Sequence, residues 1–335
     1  MFFISSSHRK STVYRTGRQP NHAFVLLMVL VAIIVVGVAM SATARRSLLA
    51  SVSAIESQRA MQRYWGMRSC QQTVLTASSQ LFELSDRSIR FGRGKRTAFP
   101  ATIEDRVVLG GQTFDLLLAD EDAKANLNAI YDIGGRRPCE QAISQLSGAL
   151  ESRTMNLLPT RPSAESVKRL QARSENESET EDGSAAAIPA MDDSPAFRSW
   201  GEVFDLVQVH RFAGDDRHLA KMTKQLTIHG VGRLNVLRAA DETVLNVCKS
   251  VIEDGLAQRL LEKIRETSLN EIDLILEQTI TNVTDRANLR TLLGVSSSSF
   301  SLWIEATSVN ARQQRFVVQS PNEFGTIRTT EFSFE

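Results

Sequence analysis

Chemistry would have to start from carboxylates, histidines, cysteines or glycine loops, and in this chain those residues are scattered. The densest acidic points are Asp120-Glu121-Asp122 and Asp215-Asp216. Compact carboxylates suit calcium, a hard cation that collects about six to eight oxygen ligands. A single pair supplies too few, so no cofactor is expected, with calcium the one candidate these residues raise. The histidines lack metal spacing: His210 and His218 stand eight apart and His229 is isolated. "GRG" at Gly92–Gly94 and "GVG" at Gly230–Gly232 are too short to be phosphate loops between a strand and a helix. Ser296 to Ser299 matches no nucleophile elbow and reads as a loop entering a strand. Cys70, Cys139 and Cys248 are odd in number and widely spaced, which describes neither a disulfide framework nor a zinc site. On an exported chain Cys139 and Cys248 could pair; separate thiols fit as well. With no catalytic constellation, the chain is expected to be neither an enzyme nor a small-molecule receptor.

The elements that would carry these residues begin with an apolar run. From Ala23 to Ala44 no residue is charged, and about 20 apolar residues suffice to cross a bilayer as a helix. Arg9, Lys10, Arg15 and Arg18 precede it. Positive flanks stay in the cytoplasm, so the N-terminus is expected inside and the bulk outside, with Arg45 and Arg46 weakening the asymmetry. Ser41-Ala42-Thr43-Ala44 also suits a secretory cleavage site. The run has no breaker after it: Ala42 to Leu84 holds no proline and only Gly66. Leu48, Val52, Ile55, Arg59, Gln62 and Gly66 recur at helical spacing. One long helix is the simplest reading, and two helices bent near Gly66 the alternative.

"RVVLGGQTFDLLL" places two apolar runs around Gly110-Gly111, the signal of a β-hairpin. "DEDAKANLNAI" then leads into a helical stretch ending near Leu150. From 153 to 194 the chain turns polar and acidic, densest at Glu175 to Asp182. Such a segment buries too little apolar surface to offset its ordering entropy and reads as a disordered linker. Helices resume at "FRSWGEVFDLVQVHRF". Asp241 is placed to cap a helix whose apolar face holds Val244, Leu245, Val247 and Val251. "LAQRLLEKIRE" and "LNEIDLILEQTI" follow as amphipathic helices, and "SSSFSLWIEATSVNARQQRFVVQS" with "GTIRTTEFSFE" as strands. Strands on both sides of a helical block make an α+β design.

Net charge is +1, so no bulk charge attracts nucleic acid. "VGRLNVLRAADETVL" resembles the opening of a helix-hairpin-helix module. DNA-binding versions bring backbone N–H groups to phosphate; here "VIEDGLAQRL" puts Glu253 and Asp254 at that place, so a packing module without nucleic acid is expected. A membrane-tethered DNA-uptake receptor is the corresponding alternative, and would bind duplex DNA in a salt-dependent way.

Four stretches together resemble the K-type minor pseudopilins of bacterial type II secretion (the general secretion pathway protein K family). They are Asn21-His22-Ala23-Phe24 with the apolar run, similar to a prepilin leader; "DEDAKANLNAI"; "SWGEVFDLVQV" with "GRLNVLRAADETVLNV"; and "LLGVSSSSFSLWIEA". The resemblance implies a fold: a long transmembrane helix continuing into a pilin-like antiparallel sheet, with a helical SAM-like or helix-hairpin-helix-like insertion. Its implied divisions are a leader at 1–23, a membrane and assembly helix at 24–90, sheet at 91–125 and 296–335, and helical insertion at 126–152 and 195–295. It also implies cleavage by prepilin peptidase between Ala23 and Phe24, with methylation of the new amino group. Most pseudopilins carry Glu five residues into the mature chain, where it is thought to pair with the terminal amine of the subunit ahead. K-type members carry an apolar residue, and Met28 stands there. The implied role is a single-pass inner-membrane subunit with a periplasmic bulk. It would sit at a pseudopilus tip and nucleate assembly with other minor pseudopilins through Leu48, Val52, Ile55 and neighbours. Two features depart from the pattern: Ala23 replaces the usual Gly, and the "W-R-D-x-D" stretch is missing. An unprocessed single-pass anchored binding protein is the remaining alternative.

Overall fold

A sequence that runs from His22 to Thr76 without proline folds as one helix, α1, of 55 residues. The computed structural model describes residues 22–88, 98–147, 154–164, 166–168, 194–213, 221–266, 272–308, 311–321 and 326–334. It divides at Met61 into two units. In the first unit every described side chain from Phe24 to Met61 is exposed. A helix that is apolar all round over its first half finds its stable surroundings in lipid or against other helices.

In the second unit, Met67, Cys70, Leu75 and Phe82 are buried. With Gln71 and Ser78 also buried and Val74 partly so, these positions recur three or four apart, so one stripe running from this helix into the next faces the core. The helix passes straight through Gly66, and the bend allowed there is absent. The break falls at Ala77 instead, after which α2 spans Ser78–Ser88.

The stripe packs on a five-stranded antiparallel sheet. β1 is Thr102–Leu109 and β2 Gln112–Asp120; β7 is Phe300–Ser308, β8 Ala311–Pro321 and β9 Ile327–Phe334. The order across the sheet is β1-β2-β7-β8-β9. Between β1 and β2, Gly110 (φ 58°) and Gly111 (φ 76°) both take left-handed backbone. Glycine accepts that without steric cost, and the resulting turn matches the twist of the strands. Alternate residues Phe114, Leu116 and Leu118 of β2 and Leu302, Ile304 and Ala306 of β7 form one core with the helix stripe. On the other face, Leu117, Trp303, Phe316 and Phe332 stand opposite one another across four strands. Their rings follow at 5.9 Å (Trp303–Phe316) and 6.2 Å (Phe316–Phe332).

Asp120 and Phe300 are register partners in β2 and β7. The chain therefore leaves the sheet and re-enters it at one point, and all that lies between is an insertion with adjacent ends. The fold is α+β, as the strand–helix–strand order implies. The insertion contains β3 (Ala125–Asn126), α3 (Leu127–Gly134), α4 (Arg136–Leu146), α5 (Trp200–Val203), α6 (Leu206–Ala213), β4 (Leu226–Thr227) and β5 (Leu234–Asn235). It closes with α7 (Asp241–Lys249), α8 (Asp254–Glu266), α9 (Ile272–Thr279), α10 (Val283–Leu292) and β6 (Leu293–Gly294). Two parallel two-residue ladders, β3 with β4 and β5 with β6, tie distant parts together. A separate apolar core fills it, including Leu127, Ile143, Phe197, Phe204, Val244, Leu260 and Leu289.

Two expectations need correction, and one open alternative closes. The linker does not start at 153. Thr154, Leu157 and Val167 are buried, Met155 bridges to Phe204, and Arg161 makes a two-oxygen pair with Asp132 of α3 at 2.7 and 2.8 Å. This stretch has its own apolar residues, and only the run after it is acidic. The acidic part, including Glu175 to Asp182, lies outside the described residues, as does Asp215-Asp216. Asp241 is not the helix cap either. Ala240 holds that position without a side-chain bond, and the Asp241 carboxylate instead takes Arg265 Nε at 2.8 Å. Finally, Cys70, Cys139 and Cys248 are separate buried thiols. Burial pushes Cys248 up to about 12 and Cys139 higher still, because an apolar interior disfavours the thiolate.

Asn126 shows how the insertion is aligned. Its side chain accepts from the backbone of Asn128 and Ala129, capping α3, and its amide donates to the His229 carbonyl at 2.7 Å. Asn126→Ala removes a cap worth about 1 kcal/mol and leaves a part-buried carbonyl unpaired at about 1–3 kcal/mol. The expected loss is about 2–4 kcal/mol in urea unfolding, and a loss below about 0.5 kcal/mol would contradict this role.

Candidate functional site: an exposed apolar helix and a buried carboxylate junction

The residues expected to take part in processing and assembly all lie on α1. Ala23 and Phe24 are in its first turn. Phe24 is 60% exposed, Met28 58%, Leu48 69%, Val52 53% and Ile55 46%. Leu48, Val52 and Ile55 are separated by four and three residues, so they share one helix face. Among the described residues, α1 is the one helix long and apolar enough to cross a membrane, by length and composition.

The acidic run Asp120-Glu121-Asp122 does not open to solvent. It is the buried junction where insertion and sheet meet, at 0%, 2% and 4% exposure. A buried carboxylate must find donors or give up its charge. Asp120 ends β2. One of its oxygens accepts from the Asp122 backbone at 3.0 Å. The other accepts from the Ser297 hydroxyl, whose oxygen accepts in turn from Asn235 Nδ2 at 2.7 Å. Glu121 accepts from Lys124 Nζ at 2.6 Å, from Thr227 Oγ1 at 2.6 Å and from Ser301 Oγ. Asp122 accepts from the backbone of Ser298 at 2.7 Å and of Ser299 at 3.0 Å. The serine run at 296–299 is thus the partner of the acidic run, brought there by the pairing of β2 with β7.

Electrostatics separates the three. Burial alone would raise the Glu121 carboxyl, but the Lys124 ammonium and the two hydroxyls hold it below its ordinary value. Burial also acts on Asp120 and Asp122 and wins in both. It raises Asp122 despite the Ser298 and Ser299 donors, and Asp120 to about 7 despite Ser297 and Arg238.

Arg238, in the loop after β5, is the cation of the junction and is 8% exposed. Its guanidinium grips both oxygens of Asp86 on α2, Nη1 at 3.0 Å and Nη2 at 2.5 Å. Nη1 also donates to the Pro100 carbonyl at 2.9 Å. Nε stands 3.5 Å from Asp120 Oδ2. The planar group lies 4.5 Å above the Phe82 ring. One side chain thus joins α2, the approach to β1, the end of β2 and the insertion. Sequence reasoning missed Arg238, Asp86 and Ser297. The available signal was that three adjacent carboxylates at the end of an apolar strand require donors from elsewhere.

The arrangement binds and positions; its carboxylates serve as acceptors for donors of this chain. Among the described residues, no group of three or more His, Cys, Asp or Glu is placed to hold a metal ion. His229 lies 6.4 Å from the Phe316 ring, and burial lowers its pKa.

No family model matches the chain, and no curated protein does. Among solved structures it is similar to a chain in the crystal structure of the GspK–GspI–GspJ complex from the enterotoxigenic Escherichia coli type 2 secretion system. The identity is 15%, the match covers 84% of this chain and 98% of that one, and the TM-score is 0.42. At those values the likeness carries no functional argument.

Proposed function

We propose that this chain is a minor pseudopilin of the K type, held in the inner membrane by α1 with its bulk in the periplasm. In this reading it forms the tip of a type II secretion pseudopilus, where it nucleates assembly with other minor pseudopilins. The observation that carries the reading is α1 itself. An apolar helix with every side chain exposed from Phe24 to Met61 continues without a break into the stripe that packs on an antiparallel sheet. Such a helix serves both as membrane anchor and as the surface along which subunits stack.

Met28 supports the tip position. A charged residue in a bilayer is costly and is kept where it has a partner. A subunit without Glu at that place needs no subunit ahead of it. The large insertion agrees, because a bulky module is hard to accommodate along a filament shaft and free at its end.

The test begins with the mature N-terminus, by mass spectrometry of membrane-extracted protein. The expected chain starts at methylated Phe24. A start near Met1 would make α1 a permanent anchor, and one near Arg45 would make the run an ordinary secretory signal; either ends the tip reading. Val52→Lys or Ile55→Lys should abolish co-purification with partner pseudopilins, since a desolvated lysine at a helix–helix contact costs several kcal/mol. Undiminished co-purification would remove this face from the interface.

A further inference from the structure

Asp120 is fully buried, yet its surroundings are a poor match for a charge. Arg238 is committed to both oxygens of Asp86 and to the Pro100 carbonyl. It offers Asp120 only Nε, at 3.5 Å, beyond a well-formed charge-assisted hydrogen bond. The other charged neighbour is Asp122, which repels. Further along the run, Glu121 is paired with Lys124 at 2.6 Å, with His229 beside them on the following loop. The good donors to Asp120 are one backbone N–H and one serine hydroxyl. A carboxylic acid fits this place with its proton on Oδ2, donated to the Ser297 oxygen; a carboxylate there must compete with Asp86 for one guanidinium.

We propose that Asp120 and Arg238 form a proton-operated latch between α2 and the helical insertion, closed while Asp120 carries its proton and loosened when the proton leaves. Deprotonation draws the guanidinium from Asp86 towards Asp120. That frees α2 and weakens the crossing bonds nearby, namely Phe99 N–H to the Leu237 carbonyl at 2.8 Å and Glu121 N–H to the Ser299 carbonyl at 3.0 Å. The sign follows from linkage. An acid whose pKa is raised on folding gives a folded state that holds more protons than the unfolded chain, from about pH 4 up to about 7. The folded junction therefore weakens as pH rises through that window and is level above it. The device belongs to the fold and does not depend on the secretion reading.

The experiment is amide hydrogen exchange by mass spectrometry on the full chain in detergent, at several pH values from 5 to 8.5, corrected for intrinsic exchange. Peptides covering Phe99, Glu121 and the loop at Arg238 should lose at least tenfold in protection across a midpoint inside that window and stay level above about pH 7. Asp120→Asn mimics the protonated acid and should hold the low-pH protection throughout. Ser297→Ala removes a donor that favours the ionised form, and should move the midpoint to higher pH in a chain that keeps every charge. Protection that is flat with pH in the unaltered chain overturns the latch. So does the same pH profile in Asp120→Asn, or a midpoint that Ser297→Ala leaves in place.

Discussion

Replacing Phe114 by alanine is expected to lower the stability of the 62–335 unit by about 3–5 kcal/mol, the cost of emptying an aromatic site in a packed core. Phe114 is fully buried, and its ring occupies the notch that Gly66 leaves in α1. A Cβ added at Gly66 would stand 2.3 Å from the ring's Cζ and 2.9 Å from Cε2. This decides the sign of a second change. Gly66→Ala in a helix interior normally gains about 1 kcal/mol of helix propensity. Here the ring cannot swing aside, and overpacking costs about 1–3 kcal/mol, so the net effect is destabilising. In the Phe114→Ala background the clash disappears and Gly66→Ala should become stabilising. Urea unfolding of the four chains of this cycle in detergent measures the coupling. A Gly66→Ala cost that is the same with and without Phe114 would show that something else requires the glycine.

Arg238→Ala has a comparable expected effect. Breaking a buried ion pair by removing one partner costs about 3–5 kcal/mol, because the other charge stays behind without a counter-ion. Here the Asp86 carboxylate is left, Asp120 loses its nearest cation, and the stacking over Phe82 is lost as well. Arg238→Lys should recover little of it, since an ammonium cannot hold both oxygens of Asp86 and the Pro100 carbonyl in one plane. The deficit should shrink in an Asp86→Asn background, where the stranded charge is gone. A loss under about 1 kcal/mol for Arg238→Ala would place the pair with surface salt bridges, which contribute about that little. The exposed pairs Arg87–Glu83 and Arg290–Asp273 belong to that weaker class, with both partners at least 42% exposed.

Much of the fold was legible residue by residue. Absence of proline with apolar residues at helical spacing made α1 a helix, Gly110-Gly111 between alternating runs made a hairpin, and alternation after Ser299 made the closing strands. Each is a local signal, because backbone conformation and side-chain period are set within a few residues. The exposed face holding Leu48, Val52 and Ile55 was legible for the same reason. The packed start of the 153–194 stretch was not. Met155, Leu157 and Val167 are ordinary apolar residues in a polar context; Leu157 joins the insertion core and Met155 packs against it only through the tertiary fold.

Sequence alone thus determined the long apolar helix, the hairpin and the α+β order. The tertiary structure decided what the acidic run at Asp120 is for. Apart from Lys124, its side-chain partners are separated from it by more than a hundred residues, with Ser297 177 positions away, and Arg238 reaches Asp86 across 152. No period or motif links such residues. They meet because β2 pairs with β7 and brings both ends of the insertion together. Burial at that meeting point then forces each carboxylate to find a donor or keep its proton.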